Sequence, residues 1–428
     1  MAVPPSTTHF LIEGLPRRTA RTGLPISLIN STSMNSSIEI QWDEPGRLDT
    51  LLAKIDGPVA RVLDRALSGE ELDFDDGLHL ARAGGLELEA LILAADRIRR
   101  ERAGDVITYV VNRNINFTNV CFVGCRFCAF SRAPREKDSY FHSFEEIQRR
   151  SIEAWELGAR EVCVQGGLPR DLDPFYYRDL LRSIKQATPE MHIHAFSPME
   201  VVYGVELTGM PLRDYLSMLK DAGLGTLPGT AAEILDDEVR HRIERIKLNV
   251  SQWLDVVKTA HRLGIRTTST MMYGHLESEE HWVRHLMLLR DVQKETGGFT
   301  EFVPLGFVHE FTQLFRSGDA RPGPTRDEHL KVHALSRLML QGWIDNIQVS
   351  WVKMSREMAQ ECFLAGANDY GGTLMDENIS RLAGATSGEY LSPEEFRSRI
   401  RELGRIPAER TTLYKIVRQY DGPLSTGF

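Results

Sequence analysis

The chain has 428 residues, 42% apolar and 26% charged, with a net charge of −9 at neutral pH. That balance suits a water-soluble globular protein with a large core, and it carries no basic footprint for nucleic acid or an anionic membrane surface. No apolar run approaches the roughly 18 residues of a membrane-spanning helix, so neither nucleic acid nor a membrane is an expected partner.

In chain order, residues 1–45 are rich in Ser, Thr and Pro, with Arg17, Arg18 and Arg21 and a single acid, Glu13, before Glu39. This composition fits a disordered tail, with Met34 as an alternative start, or an organelle transit segment. Residues 46–104 place Leu48, Leu51, Leu52, Ile55, Val59 and Leu63, then Leu88, Leu91, Ile92 and Ala95, at helical spacing. They are predicted to form a helical N-terminal extension. From 105 to 389 short apolar strands alternate with amphipathic helices. The strand candidates end near Asn116, Gln165, Phe196, Leu227, Tyr273, Gly306, Val349 and Gly371. Helix starts between them carry capping pairs, Ser143 with Glu146 and Thr325 with Glu328. The repeat predicts a (β/α)8 barrel, an open doubly wound sheet being the alternative. Residues 390–428, opening with Ser392, Pro393 and Glu395, are predicted to form a helical C-terminal extension. In such a barrel the active site lies at the C-terminal ends of the strands, where the polar and glycine-rich segments of this chain fall.

Of five cysteines, three fall within eight residues, Cys121-Phe-Val-Gly-Cys125-Arg-Phe127-Cys128, directly after the first barrel strand. This argues for metal or cluster ligation in a reducing, cytoplasmic setting rather than a disulfide framework. Thiolates are soft ligands for iron–sulfur clusters or zinc. Three on one loop hold three corners of a cubane and leave the fourth iron open to substrate; a zinc site would need completion by a distant His or Cys. Cys163, in an apolar strand, and Cys362, in a helix, are read as buried small hydrophobes.

The C-x3-C-x2-C spacing, with an aromatic residue before the last cysteine, resembles the signature of the radical S-adenosylmethionine superfamily. The resemblance implies a [4Fe–4S] cluster on Cys121, Cys125 and Cys128. S-adenosylmethionine would bind its open iron, and an electron from a ferredoxin or flavodoxin would drive cleavage to a 5′-deoxyadenosyl radical. It implies further that Phe127 contacts the adenine and that Gly166-Gly167 present backbone carbonyls to the methionine amino group. The acidic third residue usual in that turn is replaced by Leu168. Tyr273, His275 and Glu277 would lie on the adenosine side. More narrowly, the segments 112–121, 303–310, 321–329 and 366–378 resemble the 4-hydroxyphenyl-transferring subunit of FO synthase (the CofH type). This implies L-tyrosine and 5-amino-6-(D-ribitylamino)uracil as substrates, in coenzyme F-420 biosynthesis, and a separate ring-closing subunit. Enzymes of the futalosine route to menaquinone share the cysteine loop and are the alternative.

Strand-end residues suited to these substrates are Arg113, Asn114 and Asn116; His194, Ser197 and Glu200; Phe307, His309 and Glu310; Ser350 and Trp351; and Asn368 and Asp369. Glu200, His309 and Asp369 are the candidate catalytic groups. Plainer readings stand beside these: core polar groups for His194 and Ser350, a helix start for His309 and Glu310, turn chemistry for Asn368 and Asp369. His329 and His333 are read as a solvated helix face.

Overall fold

The computed structural model describes residues 46–420 apart from 56 and 247; the expectations for the tail before residue 46 lie outside them. The N-terminal extension is helical, as predicted, with helices Arg47–Leu52, Pro58–Leu67, Phe74–Ala81 and Leu86–Ala103. Their apolar faces, including Leu51, Leu63, Leu80 and Leu91, are fully buried. The last two helices pack on barrel helices Glu279–Thr296 and Arg326–Leu340, so the extension supports the barrel wall from outside.

Ten strands follow among the described residues: β1 Val106–Val110, β2 Asn112–Asn116, β3 Glu161–Gln165, β4 His192–Ala195, β5 Thr226–Leu227, β6 Arg266–Tyr273, β7 Phe299–Gly306, β8 Asp369–Gly372, β9 Ile406–Arg410 and β10 Ile416–Gln419. β2 to β7 form one sheet in sequence order. Their in-register pairing puts Asn114, Cys163, His194 and Thr226 in one row. Parallel bridges Phe302–Ile347 and Gln348–Asp369 carry the pairing on to β8. β8 then pairs with β1, which runs into β2, so the ring of parallel staves expected from the sequence is complete. Five observed strand ends, at Asn116, Gln165, Leu227, Tyr273 and Gly306, fall on the expected residues. The seventh stave is reduced to isolated bridges around Ile347 and Gln348.

The C-terminal segment departs from its purely helical expectation. It is helical over Pro393–Glu402, capped by Ser392 and Glu395 as expected, and then forms β9, parallel to β1, and β10, antiparallel to β9. The reason lies in the barrel: β3 pairs with β2 and leaves one edge of β1 open, and β9 satisfies that edge. The turn between β9 and β10 closes the N-terminal mouth of the barrel. Arg410 bonds both carboxylate oxygens of Asp369, at 2.6 and 2.8 Å. Thr412 donates to Glu161 at the start of β3, and the Tyr414 hydroxyl donates to Glu301 on β7.

Candidate active site at the C-terminal ends of the strands

The chain leaves β2 at Asn116 and folds a long loop back over the barrel mouth. The Thr118 hydroxyl donates to the Tyr140 carbonyl at 2.7 Å. Asn119 donates to the Asp138 carbonyl and accepts from the Tyr140 amide, both at 2.9 Å. Cys121 and Arg132 are joined by a backbone bond of 3.1 Å, so the cysteine segment is pinned at its base. Gly124 sits at φ 66°, and a Cβ there would meet nothing within 4 Å; glycine is needed for the left-handed turn between the first two cysteines, not for space.

Cys121, Cys125 and Cys128 are half-buried and line one cavity of about 360 Å³ together with Phe127, Gly166 and Gly167. Gly166-Gly167, at the end of β3, is there for close approach. A Cβ on Gly166 would meet the Phe117 ring at 2.5 Å, and one on Gly167 would meet the Val120 carbonyl oxygen at 2.2 Å. The glycine turn is therefore wedged against the root of the cysteine loop, and its amides are held by the Thr118 carbonyl and by Glu200. Among the described residues no three His, Cys, Asp or Glu gather as a single-ion site. Three thiols spread around one cavity, facing a side-chain-free turn, fit a cluster that is itself several atoms across.

Glu200 is 2% exposed and lines the same cavity. It accepts from the Gly166 amide at 3.1 Å and from the Ser197 amide and hydroxyl at 2.7 Å. Ser197 and Glu200 thus form the capping box of helix Pro198–Thr208 while tying β3 to β4. Backbone strain concentrates on this rim: Phe196, Ala231, Glu233, Leu374 and Asp376, all non-glycine, sit at positive φ just beyond strand ends. Such conformations cost about 1–3 kcal/mol each and cluster where a site must be held in shape.

Sequence reasoning missed several cavity residues, chiefly Glu233, Lys353, Glu377 and Ser380. Lys353 donates to the Ser380 hydroxyl at 3.0 Å, and the Ser380 amide donates to Glu377 at 3.0 Å. Burial pulls the Lys353 ammonium below its ordinary pKa, opposed by Glu377 and Glu233. It is the one cation lining this cavity among the described residues. Lys353 is three residues past Ser350, and Glu377 lies inside the singled-out segment 366–378; a survey of charged residues just beyond each strand would have found both.

Of the residues expected at the site, the three cysteines, Phe127, Gly166, Gly167, Asn116, Ser197 and Glu200 share the cavity, as do Asn114 and Phe307. The others lie elsewhere. Tyr273 points outward, its hydroxyl 2.6 Å from Nδ1 of His329. His329 and His333 are buried, which corrects the reading of a solvated face. Glu277 accepts from the amides of Gly274 and His275, at 2.6 and 2.8 Å, and from Trp282 and Arg321, and His275 bonds the Met272 carbonyl at 3.0 Å. Both knit the loop after β6. Arg113 faces the outer helices, paired with Glu153 at 3.0 Å and with Asp376. His194 lies deep in the barrel, 2.8 Å from the Thr226 hydroxyl, with burial pulling its pKa to about 4. Asn368 accepts from Arg337 and the Ile347 amide, and Asp369 belongs to the plug at the opposite mouth, so its candidacy as a catalytic group is corrected. Ser350 is buried behind the rim, and His309 packs on the Phe315 ring beside Glu310.

A closed ring of parallel staves with three thiols and a glycine turn converging at one mouth defines the radical S-adenosylmethionine class. Residues 115–289 match the radical SAM superfamily, and residues 296–421 match the CofH/MqnC C-terminal region. The chain is 51% identical, over 83% of its length and 96% of the relative's, to the 5-amino-6-(D-ribitylamino)uracil–L-tyrosine 4-hydroxyphenyl transferase of Methanothermobacter thermautotrophicus. It is 51% identical to the Methanocaldococcus jannaschii enzyme of the same name, over 76% of this chain and 91% of that one. The chain therefore belongs to the 4-hydroxyphenyl transferase family of radical SAM proteins. It also matches the FO synthase of Nocardia farcinica at 50% identity, over 90% of this chain and 44% of that larger protein. Among solved structures the hydrogenase maturase HydG shares the fold, with a TM-score of 0.65 at 16% identity over 87% of this chain and 82% of HydG. Methylornithine synthase does so at 0.63 and 18%, over 81% and 97%. Among the described residues no helix is long and apolar enough to cross a membrane.

Proposed function

We propose that this chain joins the 4-hydroxybenzyl group of L-tyrosine to 5-amino-6-(D-ribitylamino)uracil, a step towards the deazaflavin FO and coenzyme F-420. The observation that carries this is the single cavity in which the cysteine loop, the glycine turn and a charged rim meet, in a chain half identical to transferases of that name. A [4Fe–4S] cluster on Cys121, Cys125 and Cys128 would supply the electron that cleaves S-adenosylmethionine to the 5′-deoxyadenosyl radical. Phe127, which lines the cavity, would meet the adenine, and the Gly166-Gly167 backbone the methionine amino group. Lys353 offers a cation to the tyrosine carboxylate, and Glu233 or Glu377 an anion to its ammonium group. Met272, Leu305, Phe307 and Val352 give the cavity an apolar wall that suits a phenol ring and excludes water from a radical.

A low-potential reductant such as ferredoxin or flavodoxin, and a separate ring-closing subunit, complete the scheme. The futalosine-route alternative shares the C-terminal family match, but the relatives at half identity carry the name of the transferase or of FO synthase. Anaerobic reconstitution followed by incubation with both substrates and dithionite tests the proposal: wild type yields the coupled product, and Cys125→Ala yields neither cluster nor product. Full coupling by Cys125→Ala would refute the assignment of the cluster.

A further inference from the structure

Beside the cluster cavity lies a second, polar chamber of about 290 Å³, and the two share Asn114, Asn116 and Phe130 as a common wall. Its charges are internally satisfied. Arg132 pairs with Asp138 at 2.7 Å, Arg150 with Glu146 at 2.7 Å, and Arg381 with Glu389. An anion would find no uncommitted arginine there. Asn119 and Asn378 are also engaged, each through both ends of its amide.

Asn114 and Asn116 differ. Their side-chain oxygens are buried and have no hydrogen-bond partner, although the Asn116 nitrogen donates to the Gln165 carbonyl at 3.2 Å. Asn116 is only 7% exposed. A buried acceptor left without a donor is costly, and two on one wall mark a place where a donor-bearing ligand completes the structure. Among the chamber's other lining residues the Tyr140 and His142 rings stack, with centroids 4.6 Å and planes 30° apart, and offer aromatic surface.

Resting on the reaction proposed above, we infer that this chamber is the seat of the ribitylaminouracil, with the Asn114 and Asn116 oxygens accepting its N–H or O–H groups. The chemistry divides between the rooms. Tyrosine and S-adenosylmethionine bring charges, which the cluster cavity answers with Lys353 and its carboxylates. The acceptor substrate is an uncharged heterocycle with a polyol arm, rich in donors and flat at one end, and the second chamber offers open acceptors, hydroxyl-compatible polar walls and an aromatic surface. The shared wall puts the acceptor next to the room where the tyrosine fragment is released.

The test uses the full chain, loaded anaerobically, with the KM values of the two substrates measured separately, and calorimetry with 5-amino-6-(D-ribitylamino)uracil on the unloaded protein. Asn116→Leu and Asn114→Leu are expected to raise the KM for the uracil at least tenfold while that for tyrosine moves less than twofold, and to weaken uracil binding by calorimetry in parallel. Leu382→Trp, which adds bulk at another lining residue of the chamber and leaves both asparagines in the sequence, is expected to do the same and guards against an asparagine variant that fails to fold. If wild type couples the substrates and all three variants keep the wild-type KM for the uracil, or lose affinity for tyrosine equally, the placement is wrong. If wild type neither binds nor couples the uracil, the proposed reaction itself fails.

Discussion

Two residues decide how the cavity works, for opposite reasons. Lys353 brings an ammonium group into a place where burial disfavours it and the Glu377 and Glu233 carboxylates favour it, and a bound carboxylate would add to that support. With the tyrosine carboxylate as that partner, Lys353→Met should raise the KM for tyrosine about tenfold or more, since a charge-assisted hydrogen bond is worth about 1.5–3 kcal/mol. An unchanged KM in steady-state assays would remove Lys353 from that role. Gly167 matters for what it lacks. A methyl group there would lie 2.2 Å from a backbone oxygen at the root of the cysteine loop, and backbone cannot step aside as a flexible side chain can. Gly167→Ala should therefore lower the iron bound per chain after reconstitution, whereas Gly124→Ala, with nothing within 4 Å, meets only the cost of a left-handed backbone, about 1 kcal/mol. Equal iron content in Gly167→Ala and wild type would show that the turn does not shape the loop.

At the scale of elements, the C-terminal hairpin is what local sequence could not show. Helix starts were legible because a cap is local: Ser143, Thr325 and Ser392 each accept from an amide three residues on. β9 has no such signal, since Pro407 and its charged neighbours form a strand only because β1 has an open edge. The plug that follows joins three acids from β3, β7 and β8 to residues from beyond the barrel. Burial raises the Glu301 carboxyl to about 7, opposed by Arg410 and reinforced by Asp369. A folded-state pKa above the unfolded one favours the fold when the group is protonated. That contribution is complete below the unfolded value of 4.5 and is lost as pH rises through about 7. Urea unfolding of the unloaded protein across this range should show stability falling with pH through this group, and Glu301→Gln should remove that part of the slope. Identical pH profiles for wild type and Glu301→Gln would contradict it.

At the scale of the whole molecule, the barrel was readable because each stave repeats one local pattern, a short apolar strand followed by a capped helix. The cysteine loop was readable because its three cysteines lie in eight residues. The rest of the site was not, for a geometrical reason: closing the ring brings together residues from segments far apart in sequence, and a strand end can face the cavity, the outer helices or the far mouth. Asn116, Arg113 and Asp369 illustrate the three outcomes. Glu233 and Glu377 reach the cavity from loops that carry strained backbone beyond the strands, at Ala231, Glu233, Leu374 and Asp376, and Lys353 reaches it from the short helical turn Trp351–Lys353. The central claim, that this barrel transfers the side chain of tyrosine to a uracil, is tested most directly with ring-labelled L-tyrosine. After anaerobic turnover with S-adenosylmethionine and 5-amino-6-(D-ribitylamino)uracil, mass spectrometry should find the labelled ring covalently attached to the uracil, and attachment should require Cys125. Formation of 5′-deoxyadenosine with no labelled uracil adduct would contradict the account.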